Sequence, residues 1–354
     1  MMERNGILLS GKKKIMVGMS GGIDSSVTAY MLQKEGYEVE GVYLKLHDRT
    51  DGYHETNLEY IDNVTKFLNI KYHILDKTET FGEEVYDYFV NSYIEGTTPN
   101  PCVKCNRQIK FGAMLDFAKE QGASFLATGH YAKTDGNFFY EADDKSKDQS
   151  YFLSQVKKEA LAFMMFPLST YKKEDIVKLG ASLDDVYKKI TEGNESQEIC
   201  FVDTVYTDVI KKHANIDFPG KVLDEEGNVV GDHKGYMHYT IGKRRGFTVH
   251  GAHVPHFVTK INPEDNTIIV GKKDALEING VEADNLNMYI EEKVFTCTVK
   301  LRYRSISIPC KVKIKDEKAY INLDEAAFGV ADGQLAVFYD NDKVLGSGWI
   351  QATK

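Results

Sequence analysis

Two sets of residues in this 354-residue chain have the types and spacing to do chemistry: the run Ser20-Gly21-Gly22-Ile23-Asp24-Ser25-Ser26, and the cysteines Cys102, Cys105 and Cys200. The glycine run follows KIMVGM, which reads as a short apolar strand, and leads into SSVTAYMLQKEG, which reads as a helix closed by Gly36. Gly21 and Gly22 let backbone approach an anion without Cβ obstruction. The free amides and positive dipole end of the next helix would face that anion. Ser20, Ser25 and Ser26 add hydroxyl donors. The lysine of a GxxxxGK[ST] loop is missing, so this is a different phosphate cradle. Two glycines alone would suit a plain tight turn; the strand-loop-helix order favours anion binding.

The cysteines divide between two places. Cys102 and Cys105 lie in Thr98-Pro99-Asn100-Pro101-Cys102-Val103-Lys104-Cys105, and the prolines predict a stiff loop rather than a helix. Cys105 is then expected at the start of the following helix, where the dipole, Lys104 and Arg107 favour thiolate. A lone CxxC is a weak zinc signal, and no second CxxC or HxxxH completes a tetrahedral site. Cys200, in SQEICF, would by itself be an ordinary small core residue.

These residues need elements to position them. Strands at KIMVGM, EVEGVYLKL, KYHIL and SFLATG alternate with helices, one of them marked by Leu58, Ile61, Val64 and Leu68 at helical spacing. Two further helices are read at FGEEVYDYFVNSYI and FGAMLDFAKEQG. Such alternation predicts an α/β domain with a parallel sheet over 1–205, whose ligands sit at the carboxyl ends of the strands. Turn pairs and short alternating segments then predict a small linking domain over 206–275 and a C-terminal β-barrel over 276–354. Hydrophobic residues at 42% and charged residues at 27% are ordinary for a globular protein.

With a net charge of −9, any nucleic acid must be met by local basic patches. On a strand read over 294–304, Lys300, Arg302 and Arg304 share one face, opposite Cys297, Val299 and Leu301. Lys243, Arg244 and Arg245 form a second basic cluster for backbone phosphates, whereas Lys311, Lys313 and Lys315 read as a solvated barrel face. Cys297 and Cys310 are expected in the core, Trp349 in packing, and His250, His253 and His256 in a loop rather than at a metal. The N-terminus does not read as a secretory leader, no run reaches the ~18 apolar residues of a span, and five cysteines do not suggest an extracellular disulfide framework. A cytoplasmic location is expected.

The loop SGGIDSS resembles the SGGxDS signature of the PP-loop ATP pyrophosphatases, which break ATP between its α and β phosphates to form adenylates. With TPNPCVKCNRQIKFG, LATGHYA, KDQSYFL, SQEICFV, YTIGKRRGF, LRYRS and DGQLAVFYDNDKVLGSGWI, the chain resembles the tRNA-specific 2-thiouridylases over nearly its whole length. The resemblance implies ATP with Mg²⁺, a wobble-uridine tRNA (those for Lys, Glu and Gln) and a persulfide donor, either a cysteine desulfurase or a relay protein. It implies that Cys105 is the nucleophile and Cys200 the persulfide carrier. Nucleotide contacts fall on Gly18, Met19, Ser20, Gly21, Gly22, Ile23, Asp24, Ser25, Leu44 and Gly129. Contacts to tRNA fall on Asn100, Pro101, His130, Lys147, Asp148, Gln149, Arg302, Tyr303 and Gln334. One departure stands out: some members carry Asp, a proposed acid/base, where this chain has Cys102. Cys102 could carry protons more weakly or form a disulfide with Cys105. An iron–sulfur cluster on Cys102, Cys105 and Cys200 is the alternative, ranked after the persulfide route. The rival readings are a PP-loop synthetase acting on a small metabolite and a non-catalytic RNA-binding protein.

Overall fold

The computed structural model describes residues 13–48, 52–191, 199–202 and 204–354. Its first layer is a five-stranded parallel sheet. Strands β1 (Lys14–Met19), β2 (Glu38–Lys45), β3 (Tyr72–Asp76) and β4 (Phe125–Thr128) are joined by helical crossovers. The hairpin β5 (Lys133–Thr134) and β6 (Phe139–Tyr140) follows, and β7 (Met164–Met165) completes the sheet in the order β3-β2-β1-β4-β7. Ile15, Met16 and Val17 of β1 are all buried, as a central strand covered on both faces requires. Helix α1 (Ile23–Lys34) follows β1, and α2 (Tyr53–Leu68) buries Ile61, Val64 and Leu68 against the same sheet. Strand order reverses between β1 and β4, so the crevice at their carboxyl ends is where a ligand belongs.

Two helices differ from expectation. Helix α3 runs over 78–94 with a π-helical turn at Gly82–Tyr86. Helix α4 runs over 101–120: Pro101–Cys105 is α-helical, Asn106–Ala113 π-helical and Met114–Glu120 α-helical again. Pro101 therefore opens the helix instead of preventing it, because the first helical position has no N–H to lose and the ring's φ already suits a helix.

A four-stranded sheet follows, in the order β10-β11-β8-β9, from β8 (Gly220–Leu223), β9 (Val229–His233), β10 (Phe257–Asn262) and β11 (Thr267–Gly271). The last six strands are β12 (Glu277–Met288), β13 (Val294–Lys300), β14 (Ile308–Lys315), β15 (Lys318–Phe328), β16 (Leu335–Asp340) and β17 (Lys343–Thr353). They form an antiparallel barrel closed by β12 against β17, which removes the open edges. The hairpin β5–β6, which lies between β4 and β7 in the chain, pairs with β17 and so extends the barrel's sheet rather than the parallel one. Val299, Leu301, Cys310, Val312 and Phe338 fill the barrel, while Lys311, Lys313 and Lys315 face outward. Among the described residues no helix is long and apolar enough to cross a membrane.

Candidate active site

The turn after β1 is built for a close approach. Gly21 has φ +83°, and a Cβ there would meet Asn57 Oδ1 of α2 at 2.8 Å. The Ser25 and Ser26 hydroxyls each donate to the Gly22 carbonyl at 3.0 Å, and the Ser20 amide donates to Ser25 Oγ at 3.2 Å. These hydroxyls hold the turn, and Ser26 is fully buried, so the expected set of three hydroxyl donors toward the anion is not met. Asp24 accepts from the Tyr131 hydroxyl at 2.9 Å and pairs with Lys173 Nζ at 2.7 Å. Gly129, after β4, packs so tightly that a Cβ would lie 2.9 Å from the Asp24 carbonyl carbon and the Ser25 amide.

A cavity of about 350 Å³ opens in front of this turn. Gly18, Met19, Ser20, Asp24, Ser25, Leu44 and Gly129 line it, whereas Gly21 and Gly22 of the turn and Ile23, the first residue of α1, do not. Pro101, Cys102, Cys105, His130, Gln149 and Cys200 line the same cavity. Residues 180 positions apart in the chain thus meet at one void, which is the size of a small-ligand site. The Ser196-Gln197-Glu198 part of the SQEICF motif lies outside the described residues.

The thiols are not in the expected electrostatic state. Because α4 begins at Pro101, Cys105 lies one turn inside the helix and is buried. Burial pushes its thiol up to about 11, with Lys110 opposing and Cys102 adding to the rise. Cys102 is raised by burial too. Cys200 is exposed and lines the cavity. At Cys102 and Cys105 desolvation outweighs the helix dipole, so both are thiols at neutral pH. His130 Nδ1 lies 2.8 Å from Thr128 Oγ1, and burial, with Lys110, holds its pKa well below the usual imidazole range. It is neutral there.

Cysteine was the donor expected for a cluster, but among the described residues no group of three or more His, Cys, Asp or Glu is arranged to hold a metal. Cys102, Cys105 and Cys200 nevertheless line one cavity. Asp24 is the only carboxylate among the described residues lining the cavity. One carboxylate with substrate phosphates is a donor set that Mg²⁺ accepts.

Several RNA candidates turn out to brace the fold. Asp148 is buried and accepts from the Ala142 amide at 2.9 Å and the Ser150 hydroxyl at 2.8 Å. Gln149 Oε1 accepts from the Tyr131 amide at 3.0 Å while its residue still lines the cavity. Gln334 is also buried and donates to the Thr98 and Pro99 carbonyls at 3.0 and 3.2 Å. The Thr98 amide donates back to the Asp332 carbonyl at 3.0 Å. The barrel thereby grips the segment that leads into Cys102, and the buried Asn100 amide donates to the Tyr88 hydroxyl at 3.3 Å. Trp349, expected only to pack, joins Tyr88 in a cation–π arrangement around Lys104 Nζ, at 5.5 and 5.0 Å.

The basic stripe is also revised. β13 ends at Lys300, so the alternation does not continue to Arg304, and Lys300 pairs with Glu141 at 2.5 Å. Arg302 is exposed and donates to the Gly329 carbonyl at 2.8 Å, while the half-buried Tyr303 ring lies 4.3 Å from that of Phe152. Lys147 is exposed. Lys243 donates to the His238 carbonyl at 2.7 Å, which leaves the exposed Arg244 and Arg245 as the outward part of that cluster. Cys310 is buried in the barrel as expected, whereas Cys297 is only partly buried, 3.5 Å away between sulfurs.

Sequence reasoning missed other residues of the cavity wall. Lys110 is the only lysine or arginine among the described residues lining it. Tyr43, His47, Tyr53 and His54 form its far side, with Tyr43 Oη 2.6 Å from His54 Nδ1 and His54 Nε2 2.5 Å from the His47 carbonyl. The network assigns the proton to Nε2, so Nδ1 accepts from the tyrosine. Only a three-dimensional view joins these positions; Lys110 lay within the quoted CNRQIKFG motif without a chemical cue.

A parallel α/β sheet with a glycine-rich SGGxDS loop at its switch point is the frame of the PP-loop class of nucleotide-binding proteins. The model described as tRNA methyl transferase HUP domain matches residues 13–204, tRNA methyl transferase PRC-barrel domain matches 207–272, and Aminomethyltransferase beta-barrel domain matches 279–350. The chain is 77% identical over 343 residues to tRNA-specific 2-thiouridylase MnmA 1 of Aliarcobacter butzleri, covering 97% of this chain and 99% of that one. It is 56% identical to tRNA-specific 2-thiouridylase MnmA of Sulfurimonas denitrificans, over 96% and 99% of the two chains. Against the Campylobacter jejuni protein of that name it is 53% identical, over 96% and 100%. The chain belongs to the tRNA-specific 2-thiouridylase family.

Proposed function

We propose that this chain is a tRNA 2-thiouridylase that uses ATP to replace the C2 oxygen of a wobble uridine by sulfur, in tRNAs such as those for Lys, Glu and Gln. The single observation that carries the reading is the cavity shared by the phosphate loop and Cys102, Cys105 and Cys200. The amides at the start of α1 receive the pyrophosphate end of ATP, and Gly18, Leu44 and Gly129 flank the nucleotide. Asp24 would hold Mg²⁺, which neutralises phosphate charge when bound. Lys173 and Tyr131 keep that carboxylate in place.

The uridine, flipped out of its stack, attacks the α-phosphate through O2, and pyrophosphate leaves. The terminal sulfur of a Cys200 persulfide, supplied by a donor protein, then attacks C2 and AMP departs. Cys105, after losing its proton, attacks the Cys200 sulfur. The S–S bond to the transferred sulfur breaks, 2-thiouridine is released, and a Cys105–Cys200 disulfide remains for a dithiol reductant to open. Each step is leaving-group activation followed by a soft nucleophile. Arg244, Arg245 and Arg302 are exposed and meet phosphates, and His130 and Gln149 stand where the base enters.

The test is to incubate purified protein with unmodified tRNA, ATP and a persulfide donor, and to analyse the digested nucleosides by mass spectrometry. ATP-dependent 2-thiouridine is expected. Consumption of ATP with no thiolated nucleoside, in the presence of a competent donor, would favour the small-metabolite synthetase instead.

A further inference from the structure

The thiols of this cavity must become anions to act, yet the wall around them is apolar: Phe81, Val85, Ile199 and Phe201 line it beside the sulfurs. Burial opposes charge on Cys102 and Cys105. Among the described residues of the wall, Lys110 alone carries a fixed positive charge. Its position depends on an irregularity. In a uniform α-helix, residues five apart point about 140° away from one another, at 3.6 residues per turn. Lys110 would then turn away from Cys105. Instead the segment Asn106–Ala113 is π-helical, and the Met114 amide bonds back to the Ile109 carbonyl, five residues earlier. With i→i+5 bonding a turn takes more residues than in an α-helix, so Lys110 comes round toward the side of Cys105, and both line the cavity.

The surroundings show what holds the wider turn. Asn106 Nδ2 donates to the Phe152 carbonyl at 3.0 Å, and Arg107 donates to the Gln155 carbonyl at 2.7 Å. Gln155 is tied in turn to Ser347 of the barrel at 3.0 Å. A Cβ at Gly112 would come within 3.1 Å of the Arg107 carbonyl oxygen, so glycine eases the crowded inner side of the turn. Arg107, expected to help activate Cys105, is thereby engaged elsewhere. Short π-helical turns within α-helices recur at functional sites, where they re-aim side chains.

We propose that Lys110 is the counter-charge of the sulfur site, and that the π-helical turn of α4 serves to place its ammonium beside the anionic sulfur that Cys105 and Cys200 must present. The inference rests on the sulfur-transfer reading above. Lys110 is a positioning and electrostatic residue: it forms no bond to sulfur and moves no proton. It already acts against burial at Cys102 and Cys105 and helps keep His130 neutral. The other titratable groups facing the cavity are Asp24, His130, Tyr43, His47, Tyr53 and His54. Asp24 is paired with Lys173, which leaves the lysine's field to the thiols.

The experiment is iodoacetamide alkylation of Cys105 in the full-length protein, followed by peptide mass spectrometry between about pH 7 and 9, for wild type, Lys110→Arg, Lys110→Gln and Lys110→Met. Only thiolate reacts, so below the thiol's pKa the rate follows the thiolate fraction. Removing a nearby opposite charge raises a pKa by about one unit, which is tenfold in thiolate at fixed pH. Lys110→Met and Lys110→Gln should alkylate about tenfold more slowly across the window, Lys110→Arg should stay near wild type, and ATP affinity should move less than about twofold. Wild-type alkylation in both neutral variants would overturn the proposal. So would an unchanged profile with weakened ATP binding, which would make Lys110 a phosphate ligand. If Lys110→Met does not fold, Lys110→Gln against Lys110→Arg gives the same comparison. The readout needs no tRNA and no sulfur donor, so its failure is separable from failure of the sulfur-transfer reading.

Discussion

Gly129→Ala is the smallest change that reaches the phosphate cradle. The new methyl carbon would lie 2.9 Å from the Asp24 carbonyl carbon, 2.9 Å from Asp24 Cβ and 2.9 Å from the Ser25 amide nitrogen. Ordinary contact begins near 3.4 Å, so the first turn of α1 must retreat from the end of β4 by about 0.5 Å. Neither side yields easily. Asp24 is held by Tyr131 and Lys173, and Gly129 follows Thr128, which is buried in the sheet. Overpacking of this kind costs about 1–3 kcal/mol. In a domain of about 190 residues a cost of 2 kcal/mol lowers Tm by about 4–8 °C. The displacement also moves the amides that receive phosphate, so ATP binding should weaken about tenfold or more while Cys105 keeps its alkylation profile. Calorimetric Tm and ATP titration measure both. A variant with wild-type Tm and wild-type ATP affinity would refute the packing argument and, with it, the assignment of the cradle to this turn.

Other predictions follow from the braces and the basic surface. Gln334→Ala removes the donor to two carbonyls of the loop before Cys102, at about 1–3 kcal/mol; thiolation should slow with ATP affinity unchanged, and equal turnover in the variant would mean that the barrel does not position that loop. Arg244→Ala with Arg245→Ala should lower the slope of log tRNA affinity against log salt by about 0.7–0.9 per lost phosphate contact. Lys300→Ala should leave that slope unchanged because Lys300 is spent on Glu141; filter binding over a salt series decides between the two.

How much was legible depends on how local each signal is. The glycine loop could be read because strand, turn and helix are adjacent in sequence and each carries its own pattern, and Gly21 takes the positive φ its position demands. The parallel sheet was legible for the same reason. The charge state of Cys105 was not, since its burial depends on where α4 begins and what covers it. Lys110 was invisible to a reading based on 3.6-residue periodicity, because only the π-helical turn brings it round. The stripe at Lys300, Arg302 and Arg304 was misread where period-two alternation was extended past the end of β13, and Glu141, 159 positions away, could not be anticipated. Asp148 and Gln334 were placed at the RNA by resemblance, and the structure engages Asp148 with the Ala142 amide and the Ser150 hydroxyl and Gln334 with backbone carbonyls.

In the proposed reaction, adenylation and sulfur delivery are separate acts performed by separate parts of one cavity. The most direct measurement is a single-turnover reaction of Cys200→Ser with α-phosphate-labelled ATP, unmodified tRNA and a persulfide donor, following labelled tRNA adenylate and 2-thiouridine together. Adenylation needs no thiol, so the variant should form the adenylate at a rate near wild type and yield no 2-thiouridine. Thiolation at the wild-type rate by Cys200→Ser, or loss of the adenylate in a variant that is folded and binds ATP, would contradict the account.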